Sequence, residues 1–219
     1  ILKNYFKKID IQYLKSIHNG NINTPTMYFH PNVAVQNVFW DRLNVITKFI
    51  IENKKMSRKK CLDFGGGSGV FLPTLCGLFD EVILIDLDPS QAKIIKEKFK
   101  LDNCTILQEN VYTYDFKDID CIIVADVIEH FKDTRLILNR LKTFMNDNSY
   151  LLSSLPTENW FYDLVRFVGK QEKPWDHYYS SYEIEEVYSK LGFQMISQKY
   201  IPMIPFNMFS LTQWKPIKW

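Results

Sequence analysis

The 219 residues hold no apolar run near the ~20 needed for a helix to cross a bilayer, so a membrane-spanning chain is not expected. Cysteine is scarce. The four are Cys61, Cys76, Cys104 and Cys121; no two make a C-x-x-C pair, and two fall inside apolar, strand-like runs. Neither zinc nor a disulfide framework finds its spacing, and buried reduced thiols in a cytoplasmic protein are expected instead. An excess of one charge is also missing: 27 Lys and Arg against 25 Asp and Glu leave +2. A dedicated nucleic-acid binder carries a strong basic stripe, so a nucleic-acid partner is not called for. The one basic cluster, Lys54-Lys55 with Arg58-Lys59-Lys60, stands just before a predicted strand and reads as a solvated linker. Repeats, low-complexity segments and a secretory signal pattern are absent.

Aromatic residues, by contrast, are abundant at 15%, and many follow residue 156. They suggest a pocket or an apolar contact surface, although core packing absorbs part of any such excess. The length suits one α/β domain with a full core and a small insertion.

Apolar periodicity divides the chain. Residues 1–58 read as helices and loops; within them Val35, Val38, Phe39, Leu43, Ile46 and Ile50 recur at helical spacing. From Lys59 onward, short apolar strands (60–64, 81–85, 105–107, 120–125 and 150–155) alternate with helices (to 78, 90–101 and 134–145). Continuous apolar strands separated by helices indicate a mostly parallel sheet covered on both faces. Residues 156–179 break the rhythm with Pro156, Gly169, Pro174 and a cluster of aromatics. Ser180-Ser181-Tyr182-Glu183 then makes a capping box, and the helix it opens ends before Gly192. Strands at 193–200 and 206–214 bring the expected sheet to seven. The expected organisation is an N-terminal helical cap, 1–58, and a domain, 59–219, with an aromatic insertion at about 156–180.

Gly65-Gly66-Gly67-Ser68-Gly69 follows a strand and opens a helix, where bare main chain and helix N–H groups receive a ligand. The spacing is G-x-G-x-G. A dinucleotide fingerprint needs a glycine where Val70 stands, and the Lys of a nucleoside-triphosphate loop is missing. Asp86 ends the second strand, about 20 residues beyond the turn, where an acidic side chain meets ribose hydroxyls in nucleoside-binding sheets. The bland alternative is a solvated Asp starting the turn Asp86-Leu87-Asp88-Pro89.

At these residues the chain resembles the class I S-adenosylmethionine-dependent methyltransferases. Leu62-Asp63-Phe64-Gly65-Gly66-Gly67-Ser68-Gly69 is similar to their first motif, and Ile85-Asp86-Leu87-Asp88-Pro89-Ser90 to their second-strand motif. Glu109-Asn110-Val111 resembles the segment that binds adenine, and residues 120–130 the fourth-strand motif. The resemblance covers residues 60–200 and extends to ubiquinone-pathway and other small-molecule enzymes of the group. It implies a Rossmann-like, doubly wound fold and S-adenosylmethionine as methyl donor, with S-adenosylhomocysteine as product. It further implies that Phe64, Gly65, Gly66, Gly67 and Gly69 pass under the donor. Asp63 would orient the turn and receive the donor's ammonium group, and Asp86 would bind the ribose. Leu87 and Val111 would pack on adenine. Asn110 falls where an Asp usually meets the adenine amino group; the assignment between Glu109 and Asn110 stays open.

Ala125-Asp126-Val127-Ile128-Glu129-His130 follows the fourth strand, at the carboxyl ends where ligands of open parallel sheets sit. That puts Asp126 and His130 at the mouth of the site, Asp126 beside the donor as well as the acceptor. Methyl transfer needs orientation and, for a hydroxyl or ammonium acceptor, a proton sink. His130 is the candidate base; a structural histidine is the alternative. The leading expectation is therefore methyl transfer to an O or N nucleophile of a small molecule, with no metal ligand assigned. Two alternatives accompany it. In one, Asp126, Glu129, His130 and His177 hold a divalent ion in an RNA 2′-O-methyltransferase, a group with a similar Glu-His segment and a later His. In the other, the domain is catalytically silent and binds the nucleoside cofactor or a partner protein. Trp160, Phe161, Leu164, Val165 and Val168, with Trp175 and Tyr178-Tyr179, form the expected acceptor lid. Trp40 and Arg42 from the N-terminal helix are candidates to reach the donor, Arg42 at its carboxylate.

Overall fold

The computed structural model describes residues 6–18, 26–163, 176–202 and 206–217. Its centre is a seven-stranded sheet of order β3-β2-β1-β4-β5-β7-β6. The strands are β1 (Lys60–Phe64), β2 (Glu81–Asp86), β3 (Cys104–Gln108), β4 (Ile119–Ala125), β5 (Met145–Pro156), β6 (Phe193–Ile201) and β7 (Phe209–Pro216). β1 to β5 pair in parallel, and β7 runs antiparallel to both β5 and β6. The mostly parallel, doubly wound architecture is thus present. β1 and β4 lie side by side while the chain leaves them in opposite directions across the sheet. That reversal opens a crevice beyond their carboxyl ends.

Side-chain alternation splits the core into two layers. Cys61, Val82, Leu84, Cys121 and Ile123 face one way and pack with α1 (Ile11–Ile17), α2 (Val33–Glu52), α3 (Leu72–Leu75) and α4 (Ser90–Phe99). Leu62, Phe64, Ile83, Ile122 and Val124 face the other and pack with α5 (Thr134–Lys142) and α6 (Ser181–Lys190). The central strands are apolar on both faces because helices cover both. The capping box at Ser180 and Glu183 forms as the sequence predicts, and Cys61, Cys76, Cys104 and Cys121 are free thiols.

Several boundaries differ from expectation. The helix after the glycine turn stops at Leu75 rather than 78; the cap N–H of Cys76 closes it and the chain turns through Gly77. The helix expected to reach 145 ends at Lys142, because Phe144 is claimed by the sheet through Ile119 N–H to Phe144 O at 3.0 Å. The basic cluster is less free than a solvated linker. Asp120 Oδ2 accepts from the N–H groups of Lys59 and Lys60, and Arg58 donates to the last carbonyls of α2. Among the described residues no helix is long and apolar enough to cross a membrane.

Candidate active site

A cavity of about 440 Å³ opens at the carboxyl ends of β1, β2 and β4, within the range of small-molecule sites. Of the residues expected there, Asp63, Gly65, Gly66, Gly67, Asp86, Asp126 and His130 line it. Ser68 of the same turn lines it too, and so do Tyr28, Leu43, Val70, Phe71 and Asp176, which were not anticipated.

The glycine turn is shaped by what crowds it. Gly65 takes φ +68°, its N–H donates to Ile85 O at 2.9 Å, and a Cβ there would stand 2.4 Å from Val127 Cγ2. A Cβ on Gly66 would come within 2.6 Å of both Asp63 Oδ2 and Leu84 Cδ1. Gly69 faces away from the cavity, against Ala92 of α4. The Asp86 carboxylate is folded into the turn: Oδ2 accepts from Gly67 N–H and Oδ1 from Asp88 N–H, both at 2.9 Å. Each oxygen keeps further acceptor capacity.

Asp63 differs from Asp86. It is buried, and its Oδ2 has no hydrogen-bond partner. Burial, and secondly the charge of Asp86, push its carboxyl up to about 7. An unpartnered acceptor in a cavity wall is a place for a donor or a cation from a ligand.

Asp126 sits at φ +55°, a left-handed conformation that non-glycine residues rarely adopt and that clusters at functional sites. Its carboxylate pairs with the Arg42 guanidinium and accepts from Ser154 Oγ at 3.1 Å. Arg42 is 1% exposed and lies between the faces of Phe39 and Phe209, 4.4 Å from each ring centre. In this arrangement Arg42 therefore answers Asp126. Trp40 points into the core and donates to Tyr28 O at 3.0 Å.

Around His130 the chain assembles an acid–imidazole cluster. Asp176 Oδ2 stands 2.9 Å from His130 Nδ1, and His177 Nδ1 bonds Glu158 Oε1 at 2.9 Å. The two imidazoles meet edge to face with ring centres 4.8 Å apart. Glu129 is fully buried beside them, neither of its oxygens has a partner, and burial pushes its carboxyl up to about 8. Burial also lowers His130, opposed by the Asp176 charge. Of the four residues considered for a divalent ion, Glu129, His130 and His177 bring one ligand atom each within 4.8 Å of one another; Asp126 is drawn to Arg42 instead. Glu158 and Asp176 escaped the sequence reading. Glu158 had a signal, since it follows an apolar strand as Asp126 does, and it too has positive φ, +50°.

The expected adenine contacts and the remaining turn residues do not line the cavity. Phe64 is buried in the second core layer. Leu87 is 75% exposed, and Val111 is buried in the same layer as Phe64. Asn110 Oδ1 accepts from Tyr112 N–H and caps a short 3-10 turn. In the lid, Trp160 is exposed and Phe161 packs on Phe206 with ring centres 4.8 Å apart. Leu164, Val165, Val168 and Trp175 lie outside the described residues.

Residues 41–198 match the family described as a methyltransferase domain. The chain belongs to that family. With its seven-stranded sheet, it belongs to the class I S-adenosylmethionine-dependent methyltransferase superfamily. The ubiquinone biosynthesis O-methyltransferase of Nitrobacter winogradskyi is 24% identical over 163 residues, 68% of this chain and 61% of that protein. The ribosomal RNA small subunit methyltransferase A of Mycoplasma capricolum is 31% identical over 81 residues, 37% of this chain and 30% of that protein. The chain thus matches less than two thirds of the length of either curated relative. Among solved structures, magnesium protoporphyrin IX methyltransferase from Synechocystis PCC 6803 with bound S-adenosylhomocysteine superposes at TM-score 0.72, with 12% identity over 93% of this chain and 100% of that one. N-methyltransferase NodS from Bradyrhizobium japonicum, also with S-adenosylhomocysteine, gives 0.70 at 12% identity over 98% and 100%. At such identities these likenesses speak to the fold.

Proposed function

We propose that the protein transfers a methyl group from S-adenosylmethionine to an O or N nucleophile of a small-molecule acceptor. The observation that carries this reading is the buried, unpartnered Asp63 carboxyl at the glycine turn, with the Asp86 carboxylate beside it on the same cavity. A donor with an ammonium group and a ribose diol fits that pair: Asp63 takes the cation and Asp86 the hydroxyls. The donor supplies an electrophilic methyl group on a sulfonium centre. Gly65, Gly66 and Gly67 give it main chain to lie on, and Phe64 and Gly69 hold the turn's shape from behind. Leu87, exposed after β2, borders the adenine, and Asn110 and Val111 shape the turn after β3 beside it.

His130, on the cavity wall, takes the acceptor's proton as the nucleophile bonds to the methyl carbon and the old C–S bond electrons return to sulfur. Asp126, held by Arg42, is an anchored negative charge beside both substrates. Residues 1–58 cap the cavity through Tyr28 and Leu43, and residues 156–180 form the acceptor lid. The near-neutral chain and the aromatic insertion favour a small acceptor, and the four free thiols suit a reducing, cytoplasmic setting. The convergence of Glu129, His130 and His177 favours a second reading, cation-assisted 2′-O-methylation of RNA. Turnover indifferent to a chelator removes that reading.

Calorimetry with S-adenosylmethionine and S-adenosylhomocysteine tests the first. Both bind wild type, and Asp86→Ala binds them more weakly. Failure of both to bind, or unchanged affinity in Asp86→Ala, overturns the reading. His130→Ala lowers turnover more than donor affinity.

A further inference from the structure

The end of the lid is strapped to the turn after β4. Tyr178 N–H donates to Glu129 O at 3.0 Å, and Tyr179 OH donates to Lys132 O at 2.8 Å. This strap delivers Asp176 to the cavity wall, with its Oδ2 2.9 Å from His130 Nδ1. His130 Nδ1 is completely covered and meets Asp176 at ion-pair distance, off the line of an aligned hydrogen bond, yet the side chain is 35% exposed. The open edge of the ring is therefore the one that carries Nε2.

Two acceptor atoms at 2.9 Å repel one another, so a neutral ring beside a carboxylate keeps its proton on Nδ1. That leaves the Nε2 lone pair on the open side. The ring cannot easily turn over, because His177 packs edge-on against it and is itself held by Glu158. The other charged groups nearby are Glu129, buried on the same turn, and the Arg42–Asp126 pair across the cavity.

We infer that Asp176 is a positioning residue for methyl transfer: it fixes His130 as the Nδ1–H tautomer and so presents Nε2 to the acceptor's proton, with Glu158 and His177 bracing the ring. A carboxylate that orients a base in this way commonly decides whether the base faces its substrate with a lone pair or with a proton. The inference rests on the reading of His130 as proton acceptor, and it concerns a state of the protein that can be observed without knowing the acceptor.

The test is a two-bond proton–nitrogen correlation spectrum of protein labelled with 15N-histidine, recorded free and with S-adenosylhomocysteine. His130→Gln assigns the signals by their loss. Wild type shows a protonated Nδ1 and a bare Nε2 on His130. Asp176→Asn keeps an acceptor oxygen and retains that pattern. Asp176→Ala exchanges the two nitrogen shifts, because the free side chain favours the proton on Nε2. Asp176→Ser serves as the truncation should Asp176→Ala fail to fold. Wild type with its proton on Nε2, or a truncation that leaves the proton on Nδ1, overturns the inference. Loss of S-adenosylhomocysteine binding would strike the proposed function instead, and the spectrum of the free protein keeps the two failures apart.

Discussion

The unpartnered carboxyl of Asp63 makes donor binding a proton-release reaction. Its carboxyl is pushed up to about 7, mainly by burial and secondly by Asp86. At pH 6 it is therefore about 90% protonated, and at pH 7.5 about a quarter. If the donor's ammonium pairs with the ionised form, binding must first expel that proton. S-adenosylhomocysteine binding then releases about 0.9 proton at pH 6 and about 0.25 at pH 7.5, and affinity rises about eightfold between them, ~1.2 kcal/mol. Calorimetry in two buffers of different ionisation enthalpy reads the proton count directly. The same shift acts on stability with a definite sign. A carboxyl whose folded value is raised from 3.8 to about 7 stabilises the fold fully below about pH 4. That contribution is lost as pH rises toward 7, by at most ~4 kcal/mol at 1.36 kcal/mol per unit. Asp63→Asn carries neither dependence: it binds S-adenosylhomocysteine weakly at every pH and, ligand-free above pH 7, resists urea better than wild type. Wild-type affinity that stays flat from pH 6 to 7.5, or a slope that survives in Asp63→Asn, would refute the assignment.

Three further outcomes follow from the geometry. Gly66→Ala places a Cβ 2.6 Å from Asp63 Oδ2 and Leu84 Cδ1; it should cost about 1–3 kcal/mol in urea unfolding, as overpacking does, and weaken S-adenosylhomocysteine binding in parallel. Arg42→Met leaves Asp126 without its buried partner and should cost about 3 kcal/mol, the low end for breaking such a pair because Asp126 keeps some solvent. Adding Asp126→Asn should recover part of that loss in a double-mutant urea series. Leu87→Ser should leave ligand-free stability within about 0.5 kcal/mol, since the side chain is 75% exposed. In calorimetry it should nevertheless weaken S-adenosylhomocysteine about fivefold, the effect of losing an apolar cover over adenine.

The parts of the site that could be read from the sequence share one local signal: a polar residue at the end of an apolar strand. Asp63 is the penultimate residue of β1, Asp86 is the last of β2, and Asp126 directly follows β4. In a parallel sheet those ends converge on one edge, so a local pattern becomes a spatial cluster without any knowledge of long-range contacts. Glu158, two residues beyond β5, obeys the same rule and was hidden only by the aromatic residues that follow it. Arg42 and Asp176 obey no such rule. Arg42 lies mid-helix, on a face that otherwise reads as apolar core, and its partner is 84 positions away. Asp176 is aimed at His130 by backbone bonds from the next residues of the strap rather than by a strand end. Both meet the site through elements that fold over the sheet, the N-terminal helix and the lid. Periodicity fixes which face of such an element is buried, yet not which strand end its charged residue will reach. Of the residues that line this cavity, Tyr28, Leu43 and Asp176 come from those covering elements. The rest, drawn from strand ends, the glycine turn and the turn after β4, is for the same reason the part that the sequence discloses.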